Sequence, residues 1–597
     1  MSSVPERDEI AEDYTWALDE VYPDAEAWEE AYADVQDRIE ELEQYEGELE
    51  SDATTLREAL EARETVFRKL ATVRSYATLR SAEDTRNQEY QALKSKAEAV
   101  SSAASSAVSF MKPELQAIPE DTLETYLERE PALRSYEHYF DDVRRTAEHT
   151  RSPEIESLLA DLGEVAGGSS DIYSMLSNAD MTFPTVERPD GETVEITQGN
   201  FTTLQKHTNR DFRKRVHDSF YDEWETVRNS VGTALQNSVR KDVKYARARN
   251  YDTALEAALD GPNIPPAVYE TLTNTVRANL DVLHQHAELK RRALNIDSLN
   301  MWDLYVPITG DEGPTVEYEQ AKQYIIDALA PLGEAYQSRV AEGLESRWVD
   351  VYENKGKRSG AFSAGTYDTQ PYILMNYQDT ISSMYTLAHE LGHSMHSELA
   401  KEAQPWHYSD YTIFVAEVAS TVNETLLTQH LLDNVEGEAF RRHILDEYLE
   451  RVRSTLFRQT MFAEFEAKIH ELAEADQPLT PDRFDELYRG LKQTYYQPAA
   501  LDDRIDREWM RIPHFYYNFY VYKYATGISA AMAIVERIQT EGPAAAESYR
   551  EALAMGGSAY PVAILDHAGV DVTDSTYIET AMETQRANLD EMEALLK

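Results

Sequence analysis

The chain has no cysteine in 597 residues. That absence excludes a disulfide scaffold, a thiol nucleophile and any cysteine-ligated metal. Basic residues are scarce: 57 Lys and Arg face 109 Asp and Glu, for a net charge of −52. Such a chain is repelled by nucleic-acid phosphates and by anionic membrane surfaces, so neither is an expected partner. No stretch approaches the roughly 18 apolar residues that span a bilayer. The opening Met1-Ser-Ser-Val-Pro-Glu-Arg-Asp-Glu carries no apolar leader, so a cytoplasmic protein is expected. Gly and Pro are few, 23 and 22, which leaves little punctuation and predicts a mainly α-helical body.

What is present is carboxylate, helix periodicity and aromatics. Hydrophobic residues make up 42% and aromatics 10%, enough for a packed core despite the charge. The first fifty residues hold 19 acids and two Arg. Within them Trp28, Tyr32, Val35, Ile39 and Leu42 recur at helical spacing, which predicts an amphipathic acidic helix. Arg (40) outnumbers Lys (17). A dense carboxylate surface with few lysines suits a halophilic protein that stays hydrated in molar salt.

Three zones emerge. Residues 1–112 read as long helices ending near Pro113. Residues 113–200 read as helices broken around Gly167-Gly168, then a hairpin with Val186, Val194 and Ile196 around Asp190-Gly191. Residues 201–597 read as helices interrupted at 348–377, where Gly356, Gly360 and Gly365 punctuate a loop before the strand-like run Pro371 to Tyr377.

The sharpest motif is His389-Glu390-Leu391-Gly392-His393, inside a proline-free stretch from Thr380 to Glu402. Histidines at i and i+4 lie about 40° apart around a helix and roughly 6 Å along it, so their rings can converge on one cation. Glu390 stands where it can take a proton from water activated by that cation, the arrangement of zinc hydrolases. A catalytic zinc needs a third protein ligand and an open position. His396 shares the face of His389, but seven residues of helix span about 10.5 Å, too far for three rings to meet one ion. It is expected to pack or to support the ligands. The next predicted helix, Tyr411 to Asp433, follows a turn at Pro405 and brings two carboxylates. Glu417 is read as the third ligand with Glu424 behind it, although spacing alone allows the reverse.

Two further segments bear on chemistry. Residues 514–524 hold one His and five Tyr. Tyr517, Tyr520 and Tyr524 fall on one helical face and, with His514, could donate hydrogen bonds to an oxyanion; an aromatic core stripe is the alternative. Ahead of the histidine helix, Gly360 allows close backbone approach. The strand from Tyr372 to Tyr377 could offer its edge to an extended peptide.

Together these stretches resemble oligoendopeptidase F, within the thimet-oligopeptidase-like zinc metallopeptidases. The resemblance rests on Trp16 to Pro23, Tyr245 to Leu259, Gly356 to Phe362 with Pro371 to Tyr377, His389 to His396, Phe414 to Glu424, His514 with its tyrosines, Gly556-Gly-Ser558 and Ala568 to Asp571. It implies a zincin-like fold of two helical halves flanking a deep substrate channel, with a small β element beside the metal helix. It implies one catalytic zinc held by His389, His393 and Glu417, and internal cleavage of short peptides. It assigns transition-state contacts to His514 and to one or more of the three tyrosines. Two other readings stand beside it. A zinc carboxypeptidase or dipeptidyl carboxypeptidase would need cations for the substrate carboxylate, for which Arg504, Arg507 and Arg511 are candidates. A peptide-binding scaffold with a structural zinc would need four protein ligands, usually cysteines.

Overall fold

The computed structural model describes residues 4–310 and 313–597. It is built almost entirely of helices, with five short strands. None of the described helices is long and apolar enough to cross a membrane. The chain divides into two compact units. One comprises Met1–Ala147, Thr315–His430 and Ile534–Gly569; the other comprises Glu148–Pro314, Leu431–Ala533 and Val570–Lys597.

In the first unit the acidic N-terminal stretch forms the helix Ala25–Leu42. Asp24 caps it by accepting from the Ala27 N–H at 2.9 Å, as a carboxylate at a helix N-terminus should. Its inner face buries Trp28, Val35, Ile39 and Leu42 against the helices Ala53–Glu83 and Gln88–Ala107. The Trp28 indole N–H reaches the Val73 carbonyl at 3.0 Å, which removes the cost of burying that donor. The acids occupy the outer face, so charge and core coexist on one helix.

The same unit holds a three-stranded sheet of β3 (Val349–Asp350), β4 (Phe362–Ala364) and β5 (Tyr372–Leu374), in the order β3-β5-β4. β5 pairs parallel with β3 and antiparallel with β4. The run from Pro371 to Tyr377 therefore contributes a central strand. Tyr372 is only 1% exposed, and its hydroxyl donates to the Ala17 carbonyl at 3.3 Å. The expected peptide-binding edge does not lie on this strand; the sheet's edge on that side is β4.

In the second unit the hairpin forms as read: β1 (Thr185–Glu187) pairs antiparallel with β2 (Thr193–Glu195), Val186 opposite Val194. One expected break is absent. The helix Pro153–Met175 runs through Gly167 and Gly168, packed against the helix Arg228–Ala248. Packing of that kind outweighs the roughly 1 kcal/mol that each glycine costs a helix. The break expected near Pro113 is there: the helix Gln88–Ala107 ends and the helix Met111–Ala117 begins, with Pro113 in its first turn, where its missing N–H would be unpaired anyway.

Candidate metal centre

The histidine motif lies on one continuous helix, Ile381–Ala403. Thr380 starts it, accepting from the Ser383 N–H at 3.1 Å. The helix Ile413–Asn434 follows after a short turn and crosses it closely at Gly392. A β-carbon on Gly392 would stand 2.5 Å from Ser420 Cα and 2.7 Å from the Ala419 carbonyl oxygen. No larger residue fits that crossing. The turn is braced from far along the chain: Gly557 N–H donates to the Tyr408 carbonyl at 2.8 Å. A β-carbon on Gly557 would stand 2.8 Å from the Asp410 carbonyl, and Gly556 takes φ of +51°.

This crossing brings His389, His393 and Glu417 together, with one ligand atom from each within 4.8 Å of the others. The Nε2 atoms of the two histidines stand 3.2 Å apart, and His389 Nε2 stands 3.6 Å from Glu417 Oε2. Two ligands each about 2.0–2.1 Å from a tetrahedral ion would lie roughly 3.3 Å apart, so the spacing fits a metal. Glu424 accepts from His389 Nδ1 at 3.0 Å, which leaves the Nε2 lone pair directed at the centre. Burial first, then the neighbouring His389, lowers the His393 pKa to about 3, while a bond to the Ala416 carbonyl opposes them. Two ring lone pairs facing one another in a buried place call for a cation between them.

Glu390 is 6% exposed. Burial pushes its carboxyl up to about 7, against the pull of His389, and Glu417 raises it further. The Ser363 backbone N–H of β4 donates to it, so the sheet edge and the candidate base touch. Burial also raises Glu417, against His389. His396 does not join the cluster. Its ring is buried and stacked on Tyr411, centroids 3.4 Å apart and 10° from parallel, and burial lowers it to about 3. Gly360 takes φ of +87°, and its carbonyl accepts from Asn376 Nδ2 at 2.9 Å.

In the other unit the tyrosine segment is not one helix. A 3-10 turn, Pro513–Tyr516, precedes a break, and the helix begins only at Tyr522. Asn518 and Phe519 in the break have φ of +47° and +57°. The side chains nevertheless converge: ring centroids of Tyr517, Tyr520 and Tyr524 lie 5.6, 6.2 and 5.9 Å from that of His514. Phe515 and Tyr516 pack into the core, whereas Tyr517 is 52% exposed. Burial, then the charge of Arg458, lowers the His514 pKa.

Sequence reasoning missed Glu466, which holds this break. It is fully buried and accepts from the Phe519 N–H at 2.6 Å. His470 packs on the Phe519 ring at 4.4 Å and faces Asp242 at 3.4 Å. The available signal was a Glu and a His four apart on the helix Arg458–Glu474.

Comparison with known proteins agrees with the resemblance carried by the motifs. The sequence profile of Peptidase family M3 matches residues 203–584, and that described as Oligopeptidase F matches residues 114–183. The chain is 44% identical to oligopeptidase PepF of Bacillus subtilis, covering 100% of this chain and 89% of that one. It is 39% identical to group B oligopeptidase PepB of Streptococcus agalactiae, covering 99% and 98%. It superposes on the crystal structure of oligoendopeptidase-F from Enterococcus faecium with a TM-score of 0.74 and 36% identity, over 96% of this chain and 99% of that one. The chain belongs to peptidase family M3, with the oligoendopeptidase F fold.

Proposed function

We propose that the chain is a zinc-dependent oligoendopeptidase that hydrolyses internal bonds of short peptides. The observation that carries this reading is the convergence of His389, His393 and Glu417 with a buried, raised Glu390 beside them. Bound there, zinc supplies Lewis acidity, polarising the scissile carbonyl and making water more acidic. His389, His393 and Glu417 hold the ion, and Glu424 fixes the ring of His389. Glu390 takes the proton of the attacking water on its carboxylate and passes it to the leaving amine nitrogen. A carboxyl poised near neutrality suits both halves of that task. The Ser363 N–H holds this carboxylate beside β4, and β4 is the strand to which an extended peptide would add. His514 with Tyr517, Tyr520 or Tyr524 is proposed to donate hydrogen bonds to the oxyanion.

The carboxypeptidase reading has less support. Arg504 is forked onto Asp222 at 2.7 and 3.0 Å, Arg507 is paired with Glu225, and the Arg511 guanidinium covers the Phe201 and Phe220 rings. A mid-labelled peptide blocked at both ends separates the readings, because only an endopeptidase cuts it. Glu390→Gln should keep one zinc per chain by elemental analysis and lose at least about a hundredfold in turnover. Retained turnover in that variant would overturn the mechanism.

A further inference from the structure

One cluster in the second unit gathers more cations than carboxylates. Lys290, Arg453, Arg458, Lys492 and Arg511 meet three carboxylates, Glu450, Glu508 and Asp446. Lys290 and Arg453 both pair with Glu450, at 2.5 and 2.8 Å. Arg458 pairs with Glu508 at 2.8 Å, and Lys492 pairs with the other oxygen of Glu508. Asp446 instead accepts from Thr309. Burial raises its carboxyl to about 6, against the pull of Lys290, so near neutrality it is still mostly ionised and five cations face three carboxylates. Arg511 has no carboxylate partner among the described residues. Its buried Nε and Nη1 have no hydrogen-bond partner, and its guanidinium lies over Phe201 at 4.8 Å.

Burying cations without counter-charge is costly, because solvation is lost and nothing replaces it. A whole protein with a large excess of acids should have had no difficulty supplying one more carboxylate here. It supplies a cavity instead. Arg453, Arg458, Lys492, Tyr305, Tyr496 and His217 line, with the Glu508 carboxylate, a space of about 10 Å³ for the centre of a water-sized sphere, the room needed by one small particle. Among these residues Arg458 Nε, the Tyr496 hydroxyl and His217 Nε2 are buried without a partner, whereas Glu508 is already paired with Arg458 and Lys492. Arg458 Nε and the Tyr496 hydroxyl are hydrogen-bond donors. The Lys492 ammonium lies 4.4 Å from the Tyr496 ring centroid, and the Arg453 guanidinium lies 5.4 Å from that of Tyr305. Burial raises Tyr305, but Arg458, Arg511 and Arg453 outweigh it and lower its pKa, as a positive potential requires.

We propose that this cavity binds a single monatomic anion, chloride, held by Arg458 Nε and the Tyr496 hydroxyl within the field of Arg453, Lys492 and Arg511. The volume excludes sulfate, phosphate and a peptide carboxylate. The charge excess excludes a metal cation. The site is separate from the histidine cluster and does not rest on the peptidase mechanism. Its link to function is Arg458, whose charge reaches His514.

The test uses the full chain in potassium chloride and in potassium glutamate at matched ionic strength. Chloride should raise the melting temperature saturably above glutamate. Tyr496→Phe, which loses one hydrogen bond to a charged group worth roughly 1.5–3 kcal/mol, should raise the half-saturating chloride concentration about tenfold or more. Crystals soaked in bromide should show an anomalous peak between Arg458 and Tyr496. Identical melting in the two salts, or bromide peaks only outside the cavity, would overturn the proposal.

Discussion

Glu424 reaches His389 through Nδ1, the nitrogen turned away from Glu417. On the proposed reading it orients a metal ligand and raises its basicity, and such partners typically account for 10–100-fold in metal affinity. Glu424→Gln should therefore weaken zinc binding by about that factor in competition with a chelator, while the folded far-UV spectrum is kept. Glu417→Gln would remove the proposed third ligand outright and should cost more than Glu424→Gln in the same titration. A larger loss in Glu424→Gln than in Glu417→Gln would mean that the two roles are reversed, the alternative that spacing left open. At this scale the sequence was legible for the two histidines and Glu390, because a four-residue spacing on a helix fixes relative position. It was less legible for His514 and the tyrosines. Their convergence depends on left-handed φ at Asn518 and Phe519; Asn favours that region modestly, but nothing in Phe519 signals the bend.

Among the elements, the two crossing helices depend on Gly392. Replacing it with Ala forces Ser420 and Ala419 outward, at a cost of about 1–3 kcal/mol, readable as a lower urea midpoint with zinc affinity falling in parallel. The bend in the tyrosine segment depends on Glu466 in a comparable way. Burial pushes that carboxyl up to about 7 against the pull of His470. A carboxyl raised above its unfolded value contributes stability below about 4.5, and that contribution is lost as pH climbs towards 7. Each unit of displacement corresponds to about 1.4 kcal/mol. Urea midpoints of the wild type should thus fall across pH 4.5–7, and Glu466→Gln, which still accepts from the Phe519 N–H, should flatten that fall. An unchanged slope in Glu466→Gln would refute the assignment. Helix type and length were legible from periodicity, as in Ala25–Leu42 and Ile381–Ala403. Strand order was not: Tyr372 to Leu374 reads equally well as edge or centre until β3 and β4 are placed beside it.

For the whole molecule, a net charge of −52 repels itself, and the repulsion reaches about 10 Å at 0.1 M salt but only about 3 Å at 1 M. Stability and activity should fall on dilution into low salt and recover with any salt of equal ionic strength. That general recovery is distinct from the chloride-specific term proposed for the buried cavity, and comparing chloride with glutamate separates them. Full stability without added salt would count against the halophilic reading and leave the peptidase reading intact. The brace at Gly556 and Gly557 has a consequence in time. These residues follow Glu417 by roughly 140 positions, so at about 5–20 residues per second they leave the ribosome roughly 7 to 28 seconds after it. Until then the turn at Tyr408 lacks its support, and the histidines and glutamate are present in sequence before they are held in place. If the proposed centre holds zinc, a nascent chain stalled ahead of Gly556 should take it up poorly and be inactive before release.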